Sequence, residues 1–181
     1  MTLDELNAMP RERFVTTLGG IFEHSPWVPE AVADARPFAS VGALHAAMCD
    51  AVATAHVERQ LALVRAHPEL AGRAAIRDEL TDASKREQAG AGLDQCSAEE
   101  FAQIGQLNAA YNGRFGFPFV VAVRGLTRAD IIDAMAVRLG NTPEQELAEA
   151  LQTELRHGVG VLGEALSGAQ AFNAGAGRHG R

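Results

Sequence analysis

The sequence predicts an all-α fold: a single-domain helical bundle of about seven to nine helices, with one short extended segment near residues 117–123. Three observations carry this. Apolar residues recur at helical spacing through most of the chain. Several of these stretches begin on a hydroxyl side chain placed to cap a helix. The one aromatic and β-branched run, "FGFPFVVAVRG" at 115–125, has no second strand-like run to pair with.

Taken in order, Thr2 can cap a short helix over "TLDEL", and a second helix covers "RERFVTTLGGIF". "HSPWVPEAVADARPF" holds three prolines and reads as a loop around at most a short helix. Ser40 can cap a long helix from Val41 to about Arg65, with Leu44, Met48, Val52 and Leu63 on its apolar stripe. "TDASKREQAGAGL" is a weaker, polar helix with glycines near its end. Ser97 and Glu100 form a capping box for "AEEFAQIGQLNAAYNGRF". Thr127 and Asp130 start "RADIIDAMAVRL", which Gly140 and Asn141 stop. Thr142 and Pro143 begin the last helix, "PEQELAEALQTELRHGVGVLGEAL". Residues 1–166 make the helical domain, and the small-residue stretch 167–181 reads as a flexible tail.

The chain has 181 residues, which suits one domain, and 47% of them are apolar, enough for a sizeable core. A net charge of −7 speaks against nucleic acid as a main partner. Cys49 and Cys96 form no CxxC pair, which fits a reducing compartment without a disulfide framework. The charged start "MTLDELNAMPRERF" lacks the apolar centre of a signal peptide, and no apolar run approaches the ~20 residues of a membrane span. The end "RHGR" is not a peroxisomal signal. A soluble, cytoplasmic protein is the expectation.

His45, His56 and His67 recur every 11 residues, which on one continuous helix returns them to nearly the same face. Neighbours so spaced lie roughly 16 Å apart along the axis, so they cannot share one metal ion. His45 and Cys49 stand at i and i+4, without an evident third ligand. Packing histidines is the simpler reading at 45 and 56, and no metal site is expected.

His67 differs because Pro68 follows it. The residue before proline is driven out of the α region, so the helix ends there. Free carbonyls at a helix C-terminus favour an imidazolium, whereas burial disfavours it. His67 therefore reads either as a helix cap or as a placed general acid. The segment around Pro118 also carries two readings. It is a tight hydrophobic connection between helices, or its unpaired backbone groups bind a small polar ligand.

"HPEL" (67–70), "SKREQAGAGL" (84–93), "LNAAYNGRFGFPFVVAVRG" (107–125) and "RLGNTPEQE" (138–146) fall in one order and spacing. Together they resemble the 2-oxo-4-hydroxy-4-carboxy-5-ureidoimidazoline (OHCU) decarboxylase family, which catalyses the last step from urate to allantoin. The likeness extends from about residue 10 to residue 166. It implies an all-α, cofactor-free and usually homodimeric enzyme that acts on a small molecule.

By that resemblance His67 corresponds to the catalytic proton donor, and Glu87 is also implicated in catalysis. Pro68 corresponds to a substrate contact. So does the polar stretch of Ser84, Lys85, Arg86 and Gln88. Phe119, Val120, Val121, Ala122 and Val123 correspond to a segment that meets the substrate through its backbone. On one helix Ser84, Glu87 and Gln88 would share a face.

One position departs from the pattern. Family members carry an arginine late in the last helix, and an ungapped count from Asn141 lands on Val161. Arg156 lies five residues earlier, roughly 140° around a helix. Three expectations follow from this. Arg124 or Arg128 substitutes, a helix irregularity near Gly158 and Gly160 re-registers Arg156, or the protein is a catalytically weakened relative that binds or assembles in purine breakdown. Arg124 and Arg138 otherwise read as helix-end or surface salt bridges.

Overall fold

In a computed structural model of the chain, residues 1–22, 25–71 and 89–166 are described. Among them the fold is all-α: eight α-helices and two 3₁₀ turns, with no strand. The chain divides into two compact units. Met1–Gln60 and the residues from Leu155 onward form the first; Leu61–Glu154 forms the second. The predicted tail at 167–181 lies outside the described residues.

The first unit begins with α1 (Leu3–Asn7), capped by Thr2 as predicted, with Glu5 closing a reciprocal box. Helix α2 (Arg11–Leu18) stops at Gly19, short of the predicted end at Phe22. The proline-rich stretch holds a short α3 (Trp27–Val32) and a 3₁₀ turn (Ala33–Ala35). Asn7 Nδ2 donates to Phe38 O at 3.0 Å and its Oδ1 accepts from Phe38 N at 2.9 Å, which ties α1 to the end of that stretch. Helix α4 (Val41–Ala53) starts on the Ser40 hydroxyl, which accepts from Ala43 N. It packs against α3, with Leu44, Met48 and Val52 buried.

The long helix predicted from Val41 to about Arg65 is two helices. Chain geometry breaks at Thr54–His56, and α5 (Val57–Ala66) restarts beyond. The Thr54 hydroxyl bonds back to Asp50 O at 2.7 Å, a contact that bends helices. Gln60 Nε2 reaches Val52 O at 3.0 Å and Ala53 O at 3.2 Å, satisfying carbonyls that a continuing helix would have used. The break also dissolves the expected histidine stripe. His45 is on α4, His56 lies between helices and His67 follows α5, so their common spacing sets no common face.

The second unit is built on α6 (Ala98–Phe115) and α7 (Arg128–Arg138), which pack together. Both begin where predicted, on the capping box of Ser97 with Glu100 and on Thr127 with Asp130, which form a second box. Gly116, at φ 74°, closes α6 by donating its N–H to Asn112 O. Tyr111 centres the core: Phe115, Phe117 and Phe119 surround its ring at centroid distances of 4.7, 6.0 and 5.2 Å. Such tilted and edge-on pairs each add about 0.5–1.5 kcal/mol beyond the area they bury.

Helix α8 (Pro143–Leu166) starts at the predicted Pro143, and Leu166 is the last residue described. In the first unit its Gly158 is buried against Phe22: a Cβ there would sit 2.8 Å from that ring. Gly160, two residues on and exposed, meets nothing within 4 Å among the described residues. Alanine gains ~1 kcal/mol of helix propensity at either site, but overpacking at 158 costs about 1–3 kcal/mol. Thermal melts should therefore show Gly160→Ala raising Tm and Gly158→Ala lowering it. Equal increases would show that Phe22 gives way freely.

Candidate active site

Helix α5 ends at Ala66, and His67 N makes the last turn's bond to Val64 O at 3.2 Å. Pro68 then forces the chain out of the helix. The turn that follows is fastened to α6 by two asparagines one helical turn apart. Asn108 Nδ2 donates to Leu70 O at 2.9 Å, and Asn112 Nδ2 donates to the Glu69 carboxylate. Ala71 completes the turn at φ 48°, in the left-handed region that a non-glycine residue rarely occupies. His67 thus sits on a turn tied to α6 through the Leu70 carbonyl and the Glu69 side chain.

The imidazole is turned toward α8. His67 Nδ1 lies 2.5 Å from Glu154 Oε1, with side-chain exposures of 13% and 2%. Both atoms are buried and close, and the carboxylate lies off the line of a regular hydrogen bond to the ring. Glu154 belongs to a buried face of α8 that also carries Glu146, Ala150 and Thr153. Helical spacing at i, i+4, i+7 and i+8 explains why they share it.

Glu146, wholly buried, is neutralised by a different set. Tyr111 Oη and Arg138 donate to its Oε1, the latter through Nε at 2.6 Å, and Asn141 Nδ2 donates to its Oε2 at 2.7 Å. Burial and the adjacent Glu146 carboxylate push the Tyr111 phenol far above its ordinary pKa, so it stays a donor. Arg138 also donates through Nη1 to Val120 O at 2.8 Å and lies 4.5 Å from the Phe119 ring centre. Of the two expectations for Arg138, the helix-end ion pair holds and the surface one does not: it closes α7, its partner is in the core and its own side chain is 13% exposed.

The extended segment after Gly116 contains the predicted non-helical run and no strand. Phe119, Val120 and Val123 are buried in one apolar cluster with Val64 and Leu70, the residues flanking the His67 turn. Val121 is half-buried and Ala122 exposed. With three of the five side chains spent on the core, contact with a ligand from 119, 120 and 123 falls to the backbone. The Val120 carbonyl, however, is not free, since Arg138 occupies it. Pro68 is half-buried beside His67 in the chain. Ser84, Lys85, Arg86, Glu87 and Gln88 lie outside the described residues.

Several cations named from the sequence are already engaged. Arg128 Nε meets Glu100 Oε1 at 3.1 Å and its Nη1 donates to Gly92 O at 3.0 Å. Arg124 is exposed on a turn. Helix α8 runs unbroken through Gly158 and Gly160, so no irregularity re-registers Arg156 toward the position of Val161. His45 and Cys49 do meet on α4, with Sγ 3.3 Å from Nε2, which itself lies 3.0 Å from Leu155 O. Burial raises the Cys49 thiol above its usual pKa, so it is no activated nucleophile.

Sequence reasoning misses Glu154, Glu146 and the asparagine pair as working parts. The asparagines stand inside the motif "LNAAYN", at i and i+4, which is the available signal. Glu154 offers none, because in "LQTELRH" it looks like any solvated helix carboxylate.

The family described as OHCU decarboxylase matches residues 7–156. A 2-oxo-4-hydroxy-4-carboxy-5-ureidoimidazoline decarboxylase of Haloferax volcanii is 44% identical over 151 residues, covering 83% of this chain and 88% of that one. The crystal structure of (S)-allantoin synthase aligns at a TM-score of 0.71 and 30% identity, over 92% of this chain and 54% of its own. An OHCU decarboxylase crystallised in the presence of (S)-allantoin aligns at 0.68 over 88% of this chain and 99% of its own; at 20% identity that likeness is one of fold. On the family match and the Haloferax relative together, the chain belongs to the OHCU decarboxylase family of carbon–carbon lyases.

Proposed function

We propose that the protein decarboxylates OHCU to (S)-allantoin in urate degradation, without a cofactor, and that His67 delivers the proton. The observation that carries this reading is the placement of His67, fixed at a helix end with Nδ1 facing a buried carboxylate at 2.5 Å. That leaves Nε2 as the nitrogen able to serve a reacting atom.

The substrate's carboxylate sits on a tetrahedral ring carbon beside a conjugated C=N group. When the C–C bond breaks, CO₂ leaves and the electron pair passes into that conjugated system, so the substrate supplies its own electron sink. The breaking bond must stand perpendicular to the ring for the orbitals to overlap, which is a positioning task. A proton must then reach the future stereocentre from one face. An imidazole held on a rigid turn can do that, and general-acid help contributes about 10²–10⁴-fold. Pro68, the stretch Ser84–Gln88 and the backbone of Phe119–Val123 are the proposed substrate contacts, with Glu87 assisting catalysis. A homodimeric, cytoplasmic enzyme belongs to the same reading.

The second reading is a weakened relative that binds or assembles in purine breakdown, and Val161 favours it. One experiment separates the two. Freshly generated OHCU is added to the purified protein and circular dichroism is followed. A rate well above spontaneous decay, with (S)-allantoin as product, is expected. Decay at the spontaneous rate to racemic product would leave only the binding role.

A further inference from the structure

Two carboxylates are buried on one face of α8, and they are treated differently. Glu146 receives a guanidinium, a phenol and an amide. Glu154, 2% exposed, meets one titratable partner among the described residues, and that partner is His67 at 2.5 Å. A carboxylate taken out of water is costly unless something compensates it. Packing alone does not account for Glu154, because an apolar residue would fill the same place without that cost. Its position is explained if the imidazole is what it serves.

We infer that Glu154 is the positioning residue of the His67 proton donor, fixing the ring's orientation and its tautomer. This rests on the assignment of His67 proposed above. A carboxylate facing Nδ1 keeps a proton on that nitrogen in the neutral ring, so Nε2 is the atom that exchanges a proton with substrate. The carboxylate also compensates the imidazolium that exists before each proton delivery, as a buried acid does behind a histidine in hydrolytic triads. Glu154 touches neither substrate nor the reacting carbon in this role.

The tautomer is read directly by ¹⁵N-labelled histidine NMR, with the His67 ring signals assigned by their loss in His67→Gln. In the native protein, at a pH where the ring is neutral, His67 is expected as the Nδ1–H form, opposite to the preference of a free side chain. Glu154→Leu should return the ring to the Nε2–H form and lower kcat about 10–100-fold, with KM changed less than about twofold. Glu154→Gln, whose amide oxygen can accept from Nδ1–H, should keep the tautomer and recover part of kcat. An Nε2–H ring in the native protein overturns the inference by itself, even if Glu154→Leu does not fold. So does an unchanged spectrum and kcat in Glu154→Leu. If the tautomer follows Glu154 but the protein does not accelerate OHCU decay, the proposed activity fails and the pairing stands. Full activity with a ring indifferent to residue 154 overturns the pairing and leaves the proposed activity standing.

Discussion

Replacing His67 is expected to lower kcat for OHCU decarboxylation by about 10²–10⁴-fold, the range a positioned proton donor supplies. KM should move little, because the proton is delivered after the substrate is bound and the lost interaction belongs to the transition state. The choice of replacement matters. His67→Ala leaves the Glu154 carboxylate buried without its partner, so instability and lost chemistry would be confounded. His67→Gln keeps an amide that can donate to Glu154 yet cannot carry a proton to carbon. The decisive measurement is the initial rate of (S)-allantoin formation by circular dichroism for a His67→Gln protein whose far-ultraviolet spectrum is native. Retention of more than about a tenth of native kcat would remove His67 from the donor role. A rising share of racemic product would accompany the expected loss, since protonation would then fall to water on either face.

Arg138→Met should cost about 3–5 kcal/mol of unfolding free energy, the usual penalty for removing one partner of a buried pair. Three contacts vanish together: the ion pair to Glu146, the bond to Val120 O and the face of the Phe119 ring. The greater part of the cost is not those contacts. It is the Glu146 carboxylate left in the core, facing the Tyr111 phenol and the Asn141 amide without a compensating cation. Removing that charge as well should therefore restore stability. The Arg138→Met, Glu146→Gln double variant keeps an acceptor for Tyr111 and should be more stable than Arg138→Met alone. Urea unfolding of the native protein, both single variants and the double variant gives the coupling energy directly. A loss below ~1 kcal/mol for Arg138→Met would place the pair among the weak surface bridges.

What could be read in advance follows a clear line. The helix starts at Thr2, Ser97 and Thr127 were legible because each is settled within three residues of its own backbone. The start of α8 was legible for the same reason: Thr142 and Pro143 begin a helix unaided. The break at Thr54–His56 was not, since the apolar period continues across it and the side chain that satisfies the freed carbonyls, Gln60, comes from the next helix. The run around Pro118 was correctly expected to be neither helix nor paired strand, but which of its backbone groups are occupied was open. Arg138 on α7 settles this for Val120.

Family, fold class and the position of His67 before Pro68 were determined by the sequence alone, because motifs, caps and proline geometry act over a few residues. The tertiary structure decided which charges are buried and with whom. Periodicity places Glu146 and Glu154 on a helix face, but a carboxylate can occupy a core face only when distant segments bring it a compensating partner. Arg138 and Tyr111 do so for Glu146. The turn after α5 does so for Glu154 with the His67 imidazole, and no local pattern encodes that meeting.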